Sequence, residues 1–173
     1  MNNFLKYLFM LCLIIISLCL VYKLQNTPSQ KEKEQAGAYL AIFKDFYPPN
    51  RMHLLIEARK TYISVDLSSV HYKYPELIKT QIENYLSGSH VILLWDDMND
   101  LIASGLIQTE NGCPSLFENG ELFCCKDKIL TETSLEAEAY IWAGNLGGLY
   151  ATYRVEKNAD AWEIKSITDT MIS

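Results

Sequence analysis

The feature that most constrains this chain is an apolar segment near its N-terminus. Residues Phe4 to Leu24 read FLKYLFMLCLIIISLCLVYKL, and the core from Leu8 to Val21 contains one hydroxyl group and no charge. At 1.5 Å rise per residue, a helix over Phe4–Leu24 spans roughly 31 Å, which matches a hydrocarbon core of about 30 Å. We therefore expect an N-terminal transmembrane helix over residues 1–25 that contacts the lipid bilayer through residues 4–24.

Three interpretations of this segment compete. A cleaved secretory signal peptide needs small residues after the apolar run, whereas this run ends in Leu20-Val21-Tyr22-Lys23. A lipoprotein signal would use Cys19, but the residue before it is the bulky Leu18. We favour the third interpretation, an uncleaved signal-anchor helix, and hence a single-pass membrane protein.

The orientation of such a span is a separate question. Lys6 precedes the span while Lys23, Lys31 and Lys33 follow it, and this count favours a cytoplasmic C-terminal body. A very short N-terminal tail before a single span is instead typical of signal-anchor proteins whose body lies outside. We favour the second placement and expect the body to be extracytoplasmic, either periplasmic or extracellular.

The charge of the chain is concentrated in its body. The whole chain has a net charge of −6, and removing Lys6 and Lys23 leaves 13 basic against 21 acidic residues, a net charge of −8 over residues 25–173. A polar linker over residues 26–35 leads to this acidic domain over residues 36–173. Because an acidic surface repels phosphate, nucleic acid is excluded as a partner.

Hydrophobic periodicity predicts the elements of the body. An apolar stripe from Ala36 to Tyr47 indicates a helix that opens at Pro28 or Ser29 and ends at Pro48-Pro49. The spacing of other apolar and turn residues predicts a strand hairpin from Met52–Ala58 and Thr61–Leu67, a helix from Pro75 to Gly88, a buried strand over His90–Trp95, a short helix capped by Asp97, a two-residue hairpin turn at Asn119-Gly120, and strands at Ala137–Ala143, Leu149–Glu156 and Ala161–Ile167.

This order of elements predicts the fold class. Helices come early, strands come late, and the connections between the late strands are short. We therefore expect an α+β fold in which the N-terminal transmembrane helix is followed by a mainly antiparallel sheet with two or three helices.

One stretch resembles a known family. Residues 140–157 read YIWAGNLGGLYATYRVEK and are followed by Trp162-Glu163-Ile164. This pattern of an aromatic residue, glycines, Tyr-x-x-Tyr, a turn and Trp-x-Ile resembles the closing hairpin of cystatin-like and NTF2-like α+β domains in bacterial envelope proteins. The resemblance implies a fold and a compartment only, because such folds host enzymes and binding modules alike.

Three cysteines flank the predicted hairpin turn. In a two-residue hairpin, Cys113 lies opposite Lys126, on the same face as Cys124 and one diagonal step away. A disulfide between Cys113 and Cys124 is then possible, and a bulge near Pro114 would deliver Cys125 instead. Either pairing suits an oxidising exterior; the alternative is that all three thiols are reduced and buried.

No motif assigns a cofactor or a metal. His53, His71 and His90 are isolated along the chain, and Cys124-Cys125 point apart if they lie in a strand. The acidic run Asp96-Asp97-Met98-Asn99-Asp100 lacks the glycine and glutamate of a calcium loop. The glycines at 144, 147 and 148 lack the Gly-Lys-Ser/Thr of a phosphate loop. We expect no cofactor.

The sequence is compatible with two functions. We expect a membrane-anchored, non-catalytic binding or scaffold domain of the cell envelope, with another envelope protein or a small ligand as its partner. The alternative is a small hydrolase-like enzyme that combines a histidine with an aspartate or a thiol in a cleft between sheet and helix.

Overall fold

A computed structural model describes residues 3–144, 147–159 and 161–172. Its elements, in chain order, are α1 (Asn3–Asn26), α2 (Gln30–Phe46), α3 (Pro49–Glu57), β1 (Tyr62–Asp66), α4 (Pro75–Leu86), β2 (Ile92–Leu94), α5 (Met98–Ala103), β3 (Gln108–Glu110), β4 (Cys113–Leu116), β5 (Gly120–Leu130), β6 (Ser134–Gly144), β7 (Gly147–Asn158) and β8 (Ala161–Ile172).

The N-terminal helix α1 differs from the predicted transmembrane helix. Its side chains from Tyr7 to Lys23 are exposed. Within the part of the chain that the structure describes, no helix is both long and apolar enough to cross a membrane. The uninterrupted apolar run from Leu8 to Val21 measures only about 21 Å at 1.5 Å per residue, short of a hydrocarbon core of about 30 Å. The predicted transmembrane helix over residues 1–25 is therefore wrong, and so is the single-pass membrane localisation.

Helix α2 begins where the sequence predicts. Ser29 is its N-cap: the Ser29 hydroxyl accepts the backbone N–H of Glu32, and the Glu32 carboxylate accepts the backbone N–H of Ser29 at 2.7 Å. This reciprocal capping box satisfies two N–H groups that a helix start would otherwise leave unpaired. The helix ends at Phe46, just before the two prolines, as expected.

The two prolines do not lead into a strand. Pro48 is the N-cap of α3 and Pro49 occupies its first turn, where the missing N–H of proline costs nothing. Met52 and Leu55 are buried at the spacing of one helical turn. The predicted hairpin between Met52–Ala58 and Thr61–Leu67 is therefore wrong in its first half, while β1 confirms its second half.

The sheet is curled and mixed. Its main path runs β2-β1-β5-β6-β4-β3, and β6 also pairs with β7, which pairs with β8. Strand β1 pairs in parallel with β2 and with β5, and the remaining pairs are antiparallel. The chain is thus an α+β fold whose sheet is mainly antiparallel, as predicted, apart from the parallel pairs of β1. In the described part of the chain, α2 to α5 accompany the sheet, where two or three helices were predicted.

Strand β8 is bent by two bulges. It carries the extra residue Lys165 between its pairs with Val155 and Arg154, and a second extra residue between Thr168 and Met171. Within the second bulge Asp169 has a φ of 53°, a left-handed conformation that aspartate tolerates. Because each bulge increases the local twist, β8 curves, and its first residues reach α2.

The two faces of the sheet are covered differently. The inner face packs on α2, α3 and α4 and carries Phe123, Cys125, Ala137, Ala139 and Tyr153. The outer face packs on α5 and on Phe117, and its buried residues include Leu122 and Cys124. Each face has its own hydrophobic cluster, and residues adjacent along β5 alternate between the two clusters as the pleat requires.

The Asn119-Gly120 pair does not form the predicted two-residue hairpin. Strand β4 pairs with β3 and β6, and β5 pairs with β1 and β6. Gly120 is needed for a different reason: a Cβ atom at this position would lie 2.3 Å from Cζ of Phe117. The glycine therefore allows the Phe117 ring to pack directly against the backbone.

Candidate ligand site

A crevice opens at the carboxyl ends of the parallel strands β1 and β2. From the end of β1 the chain leads to α4 on the inner face, whereas from the end of β2 it leads to α5 on the outer face. Adjacent parallel strands whose following helices leave on opposite faces form a topological switch point, where open α/β sheets bind their ligands. The topology alone therefore singles out this edge of the sheet.

The crevice has a volume of about 290 Å³. Its walls are Val65, Asp66, Leu67, Ser68, Pro75, Lys79, Trp95, Asp97 and Asp100. Three of these side chains are carboxylates and one is an ammonium group. A space of this size suits a single side chain or a small amine better than a large cofactor, whose pockets reach up to about 1,000 Å³.

The lining charges are partly engaged with the protein. Oδ1 of Asp66 accepts the backbone N–H of Ser68 at 2.8 Å, and Oδ1 of Asp97 accepts two backbone N–H groups at the start of α5. The ammonium of Lys79 lies 5.6 Å from the centre of the Trp95 ring and 2.9 Å from a carboxylate oxygen of Glu76. One cation of the chain itself thus already lies over this indole ring.

A buried serine fixes the wall formed by β2. The Ser64 hydroxyl donates to the carbonyl of Asp96 at 2.7 Å and accepts the backbone N–H of Asp96 at 3.2 Å. Ser64 is fully buried. This pair of hydrogen bonds holds the segment from Trp95 to Asp97 beside β1.

Behind Asp66 lies the thiol of Cys124. Strand register pairs Asp66 with Cys124 and Cys124 with Tyr140. The thiol lies 3.8 Å from Oδ2 of Asp66 and donates to it. Burial raises the pKa of the Cys124 thiol to about 12, and the nearby carboxylates of Asp66 and Asp97 add to the rise. The thiol therefore stays protonated at neutral pH and cannot serve as a nucleophile.

The predicted disulfide is absent. All five cysteines are free thiols, Cys113 exposed and Cys124 and Cys125 buried. Cys113 lies on β4, which does not pair with β5, so the hairpin geometry behind the Cys113–Cys124 pairing does not exist. Cys125 is no substitute partner, because its side chain lies in the inner cluster on the other face of the sheet.

None of the three histidines lines the acidic crevice. His53 and His90 line one apolar cleft of about 460 Å³ with Met52, Ile56, Tyr85 and Leu86, and neither Asp66 nor Asp97 lines it. His71 pairs with Asp127, but its side chain is 81% exposed. The nearest thiol on the same face of β5, Cys125, is buried, and burial raises its pKa. His71 thus pairs with an aspartate away from the crevice, on an exposed side chain.

Over residues 3–144, 147–159 and 161–172, no group of three or more His, Cys, Asp or Glu side chains is placed to hold a metal ion. Comparison of the whole chain with protein-family models, with curated proteins and with solved structures finds no match. The chemistry of the crevice therefore carries the functional argument alone.

Proposed function

We propose that the body of this chain is a non-catalytic binding domain that holds a cationic group of its ligand in the crevice between β1 and β2. The observation that carries the proposal is the position of Asp66, Asp97 and Asp100 around Trp95 at a topological switch point. Carboxylates attract an ammonium or guanidinium group, and an indole ring stabilises the same cation through its π face.

The overall charge supports the same class of ligand. The net charge of −6 attracts cations and repels anions at long range, which raises the rate at which a basic ligand meets the surface. The crevice is open to water, so each ion pair contributes only about 0.2–1 kcal/mol and the cation–π contact about as much. A small amine alone is therefore expected to bind with a Kd of about 1 mM or weaker.

Titration of the full chain with N-acetylarginine amide tests this function. In a ¹H–¹⁵N correlation spectrum we expect the indole N–H of Trp95 and the amides of residues 66–68 to shift with the added amide. The matched neutral probe is N-acetylcitrulline amide, which has nearly the same shape and no charge. Equal shifts with both probes, or shifts confined to other regions, would overturn the proposal.

Two substitutions that each remove one carboxylate test whether the crevice binds the probe. Asp97→Asn removes one carboxylate but keeps a good N-cap for α5, so the fold is retained while the affinity for the arginine amide falls several-fold. Glu132→Gln is the control, because it removes an exposed carboxylate in the turn between β5 and β6. Binding that responds equally to the two substitutions would mean that net charge, and not the crevice, attracts the probe.

A further inference from the structure

An aromatic cleft lies on the outer face, a short distance from the crevice. Its volume is about 360 Å³, and it is lined chiefly by Tyr140, Trp142, Tyr150 and Met171 with Gly148 between them. Tyr140 is 40% and Met171 61% exposed. Tyrosine, tryptophan and methionine are the side chains enriched where proteins bind other chains.

Strand register places the cleft and the crevice in one row. Reading across the sheet, Asp66 pairs with Cys124, Cys124 with Tyr140, Tyr140 with Tyr150, and Tyr150 with Met171. Neighbouring strands lie about 4.8 Å apart, so Asp66 and Tyr150, three strands apart, are separated by about 14 Å. In this row Cys124 alone lies between Asp66 and Tyr140, the first residue of the cleft.

We infer that the crevice and the aromatic cleft bind one extended peptide segment, with a basic side chain in the crevice and a large apolar side chain in the cleft. An extended chain advances about 3.4 Å per residue, so a span of about 14 Å places the two side chains about four positions apart. Charge complementarity selects the basic residue at the acidic end, and the tyrosine and methionine side chains select the apolar residue at the other end. This inference rests on the proposed function, because it uses the crevice as the cation site.

Two peptides of the same composition test the spacing. Fluorescein-labelled Arg-Ser-Gly-Ser-Phe places its basic and aromatic residues four positions apart, and Ser-Gly-Ser-Arg-Phe places them side by side. Burial of a phenylalanine ring is worth enough to tighten binding by about tenfold or more. We expect that gain, measured by fluorescence anisotropy with the full chain, for the first peptide only.

Variants separate the two ends of the row. Met171→Ser changes a largely exposed residue of the cleft, and we expect the affinity for the spaced peptide to fall about five- to tenfold while binding of N-acetylarginine amide is unchanged. Tyr150→Ser provides a second change at the same end. Ser166→Ala, at an exposed position of β8, is the control.

The outcomes distinguish this inference from the proposed function. Equal affinities for the two peptides, together with specific binding of the arginine amide, would overturn the inference and leave the proposed function standing. Binding of neither the amide nor the peptides would overturn both. A spaced peptide with citrulline in place of arginine that binds as tightly as the original would overturn the assignment of the basic end.

Discussion

The ring nitrogen Nδ1 of His71 lies 3.1 Å from Oδ1 of Asp127, and the same oxygen accepts the backbone N–H of His71 at 2.8 Å. The other carboxylate oxygen accepts the hydroxyl of Tyr39 on α2 at 3.1 Å. Asp127 is only 8% exposed. One buried carboxylate thereby joins α2, β5 and the loop over residues 67–74, and that loop carries part of the crevice wall.

Removal of this carboxylate tests its role. Asp127→Ala leaves the hydroxyl of Tyr39 and the amide of His71 without their acceptor, and an unsatisfied buried donor costs about 1–3 kcal/mol. We expect the free energy of unfolding in urea to fall by that amount. Glu132→Ala, a change at an exposed carboxylate, is the control and should stay within about 0.5 kcal/mol of the wild type. Equal losses in the two variants would contradict the structural role.

Gly120→Ala tests the contact between Phe117 and the backbone. The added methyl group would lie 2.3 Å from the Phe117 ring, so the ring must move out of the outer cluster. Overpacking of this kind costs about 1–3 kcal/mol, measured as a lower free energy of unfolding. Gly147→Ala is the matched control, because no atom of the described residues lies within 4 Å of its added methyl group. If both substitutions lower the free energy of unfolding equally, contact with the Phe117 ring does not explain the loss.

Reaction with a thiol reagent can count the accessible cysteines. Cys12, Cys19 and Cys113 are exposed, whereas Cys124 and Cys125 are buried with raised pKa values. We expect a thiol reagent at pH 8 to modify three thiols quickly in the folded chain and the remaining two only after unfolding in urea. Prior reduction should leave the count unchanged. A gain of two thiols on reduction would mean that a disulfide forms after all.

The stability should fall at alkaline pH, and Cys124 should contribute to the fall. Its pKa is raised from an ordinary value of 9.0 to about 12 in the folded chain. Between these values the unfolded chain releases a proton that the folded chain retains, so stability is lost as the pH rises through this window. One such group contributes a slope of about 1.4 kcal/mol per pH unit.

The measurement is a comparison of unfolding free energies from pH 8 to pH 11. Cys124→Ala lacks the group, so the stability difference between this variant and the wild type should narrow as the pH rises. Cys113→Ala removes an exposed thiol and serves as the control, with a difference that stays constant. A constant difference for Cys124→Ala as well would show that its proton is not retained on folding.

Local signals in the sequence predicted much of the fold. Pro28 or Ser29 at one helix start, Pro75 at another, Asp97 as a cap and the apolar spacing along β6, β7 and β8 each act within a few residues, so their neighbours are known from the sequence. The strand predicted over Met52–Ala58 was wrong because the apolar residues there fit two periodicities. Met52 and Leu55 have the spacing of a helix, whereas Met52, Leu54 and Ile56 have that of a strand. Only packing against the sheet decides between the two.

The candidate site depends on non-local pairing. Asp66 and Asp97 were visible in the sequence as a strand residue and a helix cap, but their approach requires that β2 lie parallel to β1, and neither residue type nor spacing specifies that pairing. Trp95 was expected in a buried strand, whereas β2 is a short edge strand that ends before it. The glycine of Asn119-Gly120 was interpreted as a turn residue because sequence patterns cannot reveal that an aromatic ring lies against it.

The adjacent positions of Cys124 and Cys125 allow two parts of the molecule to be followed separately. The two residues are adjacent along β5, yet the thiol of Cys124 lies in the outer cluster and that of Cys125 in the inner cluster. In a chain whose other cysteines are replaced, the labelling rate of each thiol would report the local opening of one layer, independently of the other layer. A single pair of neighbouring residues can thus show whether the helices on the two sides of the sheet detach together or one after the other.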